Sequence, residues 1–121
     1  MVLGVSTLLV VQDLKISKQF YMDILGLEFV SDQENCVQLK VGEHLVSIFE
    51  GNDTAINYHH GYESNYTLVF TDNNLDKQIV YLKKLGVEFV HQTPNENLLG
   101  RYGAFKDPSG IVLELFETKQ A

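Results

Sequence analysis

The chain switches between two hydrophobic periods, and it makes the same switch twice. Residues 5–12, VSTLLVVQ, form a β-branched apolar run, and residues 65–71, NYTLVFT, form another. Both predict strands. An aspartate follows each run, Asp13 in one case and Asp72 in the other, where a side-chain oxygen can accept from the free amides of a starting helix. The period then lengthens. Ile16, Phe20 and Ile24 recur every four residues, and Leu75, Ile79, Leu82 and Leu85 follow at spacings of four, three and three. These stripes predict two amphipathic helices. Gly26 and Gly86 stand where each helix needs a left-handed stop, and LEFV or VEFV then resumes the alternation of a strand.

The hexapeptides LGLEFV at 25–30 and LGVEFV at 85–90 are therefore one structural part written twice, the corner between helix and strand. Asp13 and Asp72 lie 59 residues apart, Leu25 and Leu85 60, so one residue is gained inside a shared pattern. Beyond the corner, ENCVQLKVGEHLVSIFEG predicts a hairpin turning near Gly42 and Glu43. GRYGAFKDPSGIVLELFE predicts a second, with Asp107-Pro108-Ser109-Gly110 as a type I turn. Each half reads strand–helix–strand–strand–strand. Residues 51–64, GNDTAINYHHGYES, are polar and aperiodic and read as a linker between a module of about 1–50 and another of 65–121. A four-stranded sheet with one helix buries only one face, so two such sheets can bring their open faces together. The expected fold is α+β: two tandem βαβββ modules forming a curved mixed sheet around a cavity, within a single domain of residues 1–121.

Those tandem halves, the FYMDILGLEF corner and the DPSGIVLEL hairpin resemble the vicinal oxygen chelate superfamily, which includes glyoxalase I, extradiol dioxygenases, fosfomycin-resistance enzymes and bleomycin-resistance proteins. The resemblance covers nearly the whole chain. It implies a cavity holding a divalent metal, with ligands on the first and last strands of each half. Counting seven residues back from each capping aspartate, and aligning SIFE with ELFE, gives Ser6, Ser47, Asn65 and Glu114 as those positions. Only the glutamate is a good donor for a transition metal. No metal site and no cofactor are expected, with a bound divalent metal as the alternative.

Strand parity places Ser6 with Leu8, Ser47 with Phe49, Asn65 with Thr67, and Glu114 with Val112 and Phe116. The residues expected to bind a ligand are Ser6, Ser47, Phe49, Asn65, Thr67, Tyr102, Glu114 and Phe116. Phe49, Tyr102 and Phe116 either stack on a flat molecule or fill the core. Glu114 is the candidate catalytic residue: a general base or cation site if an apolar cavity raises its pKa, or else a hydrogen-bonded wall residue. His59 and His60 are adjacent and point opposite ways on extended chain, so a loop at the cavity rim is expected rather than a shared ion. His44 and His91 read as strand-end surface residues, and Cys36 as a small apolar one.

The net charge of −7 repels nucleic acid and anionic membranes, and either suits a neutral or cationic ligand or simply keeps the chain soluble. No apolar run approaches the roughly 18–20 residues of a membrane span. One cysteine forms no intrachain disulfide, which fits a reducing cytoplasm. The expected function is metal-free binding of a small organic molecule between the modules, similar to bleomycin-resistance proteins, in a homodimer that the resemblance implies. The alternative is a divergent lyase or isomerase of the glyoxalase type, metal-dependent and using Glu114. A third is a module for a protein partner with a collapsed cavity.

Overall fold

The structure, a computed structural model, describes residues 3–51 and 66–119. The chain divides into two compact units, Met1–Ala55 and Ile56–Ala121. The first holds β1 (Thr7–Val11), α1 (Leu14–Gln19), a π-helical turn (Phe20–Ile24), β2 (Glu28–Gln33), β3 (Cys36–Val41) and β4 (His44–Glu50). Its sheet runs β1-β4-β3-β2, with β1 parallel to β4 and the other pairs antiparallel. The second holds β5 (Val69–Thr71), α2 (Leu75–Lys84), β6 (Asn95–Glu96), β7 (Gly100–Lys106) and β8 (Val112–Thr118). Its sheet runs β5-β8-β7-β6, again with the first strand parallel to the last. The fold is α+β, built from two βαβββ units. The linker read at 51–64 lies, Gly51 apart, outside the described residues.

Each helix starts on a pair of side-chain acceptors. Asp13 caps α1, accepting from the Ile16 amide at 2.9 Å, while Glu50 at the end of β4 accepts from the Leu14 amide at 3.2 Å. In α2 the cap is Asn74, which accepts from the Lys77 amide at 3.2 Å, and Glu117 on β8 accepts from the Leu75 amide at 3.0 Å. Asp72, expected as the cap, instead accepts from the Asn74 amide at 2.8 Å and shapes the turn before it. The true caps are therefore 61 residues apart, while the corner glycines Gly26 and Gly86, at φ +81° and +88°, are 60 apart.

The extra residue thus belongs to the first half. It is housed in the π-helical turn, where the Leu25 amide bonds the Phe20 carbonyl five residues back at 3.1 Å. At the matching corner the Leu85 amide bonds the Tyr81 carbonyl four residues back at 3.3 Å. A single π turn lets a helix absorb one residue while its ends keep their places.

Packing follows the register. α1 lies against β3 and β4, and Leu9, Val11, Val37, Leu39, Val46 and Ile48 are buried together with Phe20 and Tyr21. The helix stripe differs from the expected one: Ile16 is 52% exposed, and Ser17, Phe20 and Tyr21 are the buried positions. A strict four-residue spacing drifts round a helix of 3.6 residues per turn, and the π turn shifts the face again. In the second unit α2 lies against β7 and β8, with Leu75, Ile79, Leu82, Phe105, Leu113 and Leu115 buried. Side chains of this size contribute roughly 1.5–3 kcal/mol each when fully buried. The VEFV segment forms no strand of its own. It meets β7 at one bridge, Phe89 to Phe105, and β6 takes the fourth place in the sheet. Among the described residues no helix is long and apolar enough to cross a membrane.

Candidate functional site

The face of the first sheet turned away from α1 follows from pairing, because directly opposed residues share a face. Leu8 pairs with Ser47, Val10 with Phe49, Gln38 with Ser47, and Cys36 with Phe49. Ser47, Phe49 and Gln38 are half-buried, and Leu8 is 59% exposed. A chain of hydrogen bonds runs across the middle of this face. The Ser31 hydroxyl donates to Gln38 Oε1 at 3.0 Å, and Gln38 Nε2 donates to the Ser47 hydroxyl at 3.3 Å. The link to β2 depends on a β-bulge. Phe29 pairs with Leu39, yet Ser31 rather than Val30 pairs with Gln38. One extra residue has re-aimed the strand so that a hydroxyl, not an isopropyl group, faces the glutamine.

The corresponding face of the second sheet is different in kind. Val69 and Ala104 flank Glu114, Thr71 and Tyr102 flank Phe116, and Asn95 pairs with Tyr102. Glu114 is 6% exposed and Tyr102 8%. Burial pushes the Tyr102 phenol above its ordinary range, and the negative charge of Glu114 pushes it further the same way. The phenol therefore keeps its proton to higher pH than an ordinary tyrosine. The Thr67 hydroxyl donates to the Val112 carbonyl at 3.0 Å, closing the parallel edge of the sheet.

The structure places Ser47 and Phe49 on one face of the first sheet, and Glu114, Tyr102 and Phe116 on one face of the second. Ser6 is exposed and precedes β1. Asn65, His59 and His60 lie outside the described residues. His44 is half-buried, its Nε2 2.7 Å from the Thr7 hydroxyl. Cys36 is half-buried, with Sγ 3.8 Å from the Val37 carbonyl. Sequence reasoning missed Gln38 and Ser31. The Gly42-Glu43 turn does fix Gln38 opposite Ser47, so the hairpin was the signal for one of them; the bulge that brings Ser31 leaves none.

The metal positions implied by the resemblance shift with the cap. Leu8 lies opposite Ser47 as Val69 lies opposite Glu114, so the counterpart of Ser6 is Thr67 rather than Asn65. Those positions then read Ser6, Ser47, Thr67 and Glu114. Neutral hydroxyls are poor donors to a divalent transition ion, and those of Ser47 and Thr67 are already hydrogen-bonded to Gln38 and Val112. The donor set does not fit such an ion. Among the described residues no group of three or more histidine, cysteine, aspartate or glutamate side chains is placed to hold one.

Two βαβββ units, each closing its first strand in parallel on its last, define the class of fold. The family model of the Glyoxalase/Bleomycin resistance protein/Dioxygenase superfamily matches residues 5–115, and the chain belongs to that family. A search of curated protein sequences gave no match. Among solved structures, the fosfomycin resistance protein FosX from Listeria monocytogenes aligns with a TM-score of 0.79 at 23% identity, covering 98% of this chain and 94% of that one. The same protein complexed with Mn(II) and sulfate aligns with a TM-score of 0.76 at 22% identity, covering 98% and 93%. TnmS3, an antibiotic-binding protein from Streptomyces sp. CB03234, aligns at 0.69 and 20% identity over 98% of this chain and 99% of that one. Lactoylglutathione lyase from Agrobacterium tumefaciens aligns at 0.69 and 19% identity, covering 95% and 92%. At these identities the likeness is one of fold.

Proposed function

We propose that the chain is a small-molecule-binding protein of the bleomycin-resistance type that holds its ligand without a metal ion. One observation carries the reading: hydroxyls stand at the positions where the family resemblance calls for metal ligands, while the one carboxylate there, Glu114, is buried beside the Tyr102 phenol on a face it shares with Phe116. A carboxylate, a phenol and an aromatic ring suit an organic molecule with an amine or amide group and a flat apolar body. Ser6, Ser47, Phe49 and Thr67 would add neutral contacts, with Asn65. The antibiotic-binding TnmS3 and the resistance protein FosX share the fold and lend support to a drug-like ligand. On this reading the halves work as one domain of residues 1–121, in a homodimer, in the cytoplasm; the family match across both halves supports the first of these.

The test is elemental analysis of the purified protein before and after soaking in zinc, nickel and manganese. The expected result is at or below about 0.1 ion per chain. A thermal-shift screen of cationic and neutral aromatic molecules comes next, in which a ligand at about 100 times its Kd stabilises by roughly 2.7 kcal/mol. One tightly held ion per chain would sink the metal-free reading. It would favour a second one, a lyase or isomerase of the glyoxalase type with Glu114 as general base, which the burial of that carboxylate beside a phenol also supports. In that case Glu114→Gln abolishes turnover.

A further inference from the structure

Gln38 is held at both ends of its amide by side chains from two neighbouring strands, Ser31 on β2 and Ser47 on β4. An exposed glutamine samples many rotamers, whereas one pinned at both Oε1 and Nε2 presents a fixed plane. The bulge at Val30 exists on the same face and brings the Ser31 hydroxyl into place, so two separate features of the chain build one polar strip. With Oε1 accepting from Ser31 and one Nε2 hydrogen donated to Ser47, two hydrogens are left over: the second on Nε2 and the hydroxyl hydrogen of Ser47. Both are donors, and neither is charged. Leu8, Val10 and Phe49 flank the strip with apolar surface.

That combination selects a ligand group. Two adjacent neutral donors match an oxygen acceptor such as an amide or ketone carbonyl. An anionic acceptor is disfavoured by the net charge of −7, and Lys40 on the same face is 3.7 Å from Glu28. We propose that Gln38 determines ligand specificity: together with Ser47 it receives the neutral carbonyl of a flat organic molecule on the face of the first sheet. This rests on the small-molecule reading and adds to it the chemistry of the group bound there.

Three aromatic probes of one size and different charge test it: benzamide, benzamidinium and benzoate. The readout is the side-chain amide signal of Gln38 in the ¹⁵N-labelled protein, assigned by its disappearance in Gln38→Leu. Benzamide is expected to move that signal to saturation and to bind Gln38→Leu about tenfold more weakly, the worth of one or two hydrogen bonds. Benzoate is expected to leave it in place. Gln38→Glu keeps the span and both serine contacts but replaces donors by acceptors, so the preference should pass from benzamide to benzamidinium. That reversal decides the matter if Gln38→Leu fails to fold. A Gln38 signal that stays still while benzamide saturates signals elsewhere, or an unchanged preference in Gln38→Glu, overturns the inference and leaves small-molecule binding standing. If none of the three moves any signal, both readings fall.

Discussion

In the first half the helix begins on Asp13 and takes a second acceptor from Glu50; in the second it begins on Asn74 and takes one from Glu117. Both helices stop at a glycine with positive φ, and both sheets close the first strand in parallel on the last. What differs is the content placed on that frame. The first helix carries an extra residue in a π turn, and its sheet shows a neutral serine–glutamine–serine strip. The second helix is regular, and its sheet shows a buried carboxylate beside a phenol. Caps and corners satisfy backbone groups that any such unit must satisfy, so they repeat. The far face of each sheet is under no such obligation and is free to diverge.

The largest expected effect comes from deleting one residue in each helix. Deleting Val80, an exposed residue of α2, rotates the last turn of that helix by about 100° and takes Leu82 off the buried face. Losing a buried leucine costs about 2–5 kcal/mol, a large share of the roughly 5–15 kcal/mol that holds a domain together, so this variant is expected to be unfolded. Deleting Met22 removes the residue that the π turn absorbs and leaves an ordinary helix, at a cost under about 1.5 kcal/mol. Denaturant midpoints measure both. Equal losses would mean that the π turn is not slack, and the comparison of the halves would break at that point.

Next in size are the strand glutamates. Glu117→Ala is expected to cost about 1–2 kcal/mol and Glu50→Ala about 0.5–1 kcal/mol, since each leaves a helix amide without its acceptor. Glu117 has the shorter bond, in a less exposed setting, and also lies 3.6 Å from Arg101. Thermal unfolding of the two variants compares them directly. A larger loss for Glu50→Ala would reverse the ranking of the two helix starts.

How far the sequence could be read obeys the same division. The corner glycines Gly26 and Gly86, the hairpin at Gly42-Glu43 and the Asp107 turn were legible because each is a local pattern with one physical solution, whereas the strand read in VEFV reduces to a single bridge. Asp72 misled because aspartate and asparagine serve turn and cap alike, and the cap fell two residues later on Asn74. Counted from Asn74 instead of Asp72, the position seven residues before the cap moves from Asn65 to Thr67. The π turn was hidden because Ile16, Phe20 and Ile24 fit an α-helical stripe in letters alone, and Ser31 was hidden because a bulge shows only in pairing.

A smaller effect, of opposite sign, is expected at Ser17. Its hydroxyl is buried under α1 and has no hydrogen-bond partner among the described residues. Ser17→Ala removes a desolvated polar group while keeping the helix, and it should raise stability by up to about 1 kcal/mol. A loss on that substitution would mean that the hydroxyl is satisfied in solution, and this buried polar cost would no longer set the first half apart.

The smallest change separates the two faces by charge. The Tyr102 phenol has a raised pKa in the folded protein, with burial the main cause and Glu114 the lesser one. A group whose folded pKa lies above its unfolded value contributes stability that is fully present below the unfolded pKa, about 10 for tyrosine, and is lost as pH rises through the folded value. Tyr102→Phe should therefore flatten the alkaline fall in stability. Glu114→Gln should move the phenol only part of the way back, because removing the charge leaves the burial. Ultraviolet titration of tyrosine in the parent and in Glu114→Gln, with Tyr102→Phe identifying the signal, reads that shift. If Glu114→Gln restored the ordinary value completely, charge rather than burial would govern this face. The second half would then differ from the first by a single carboxylate.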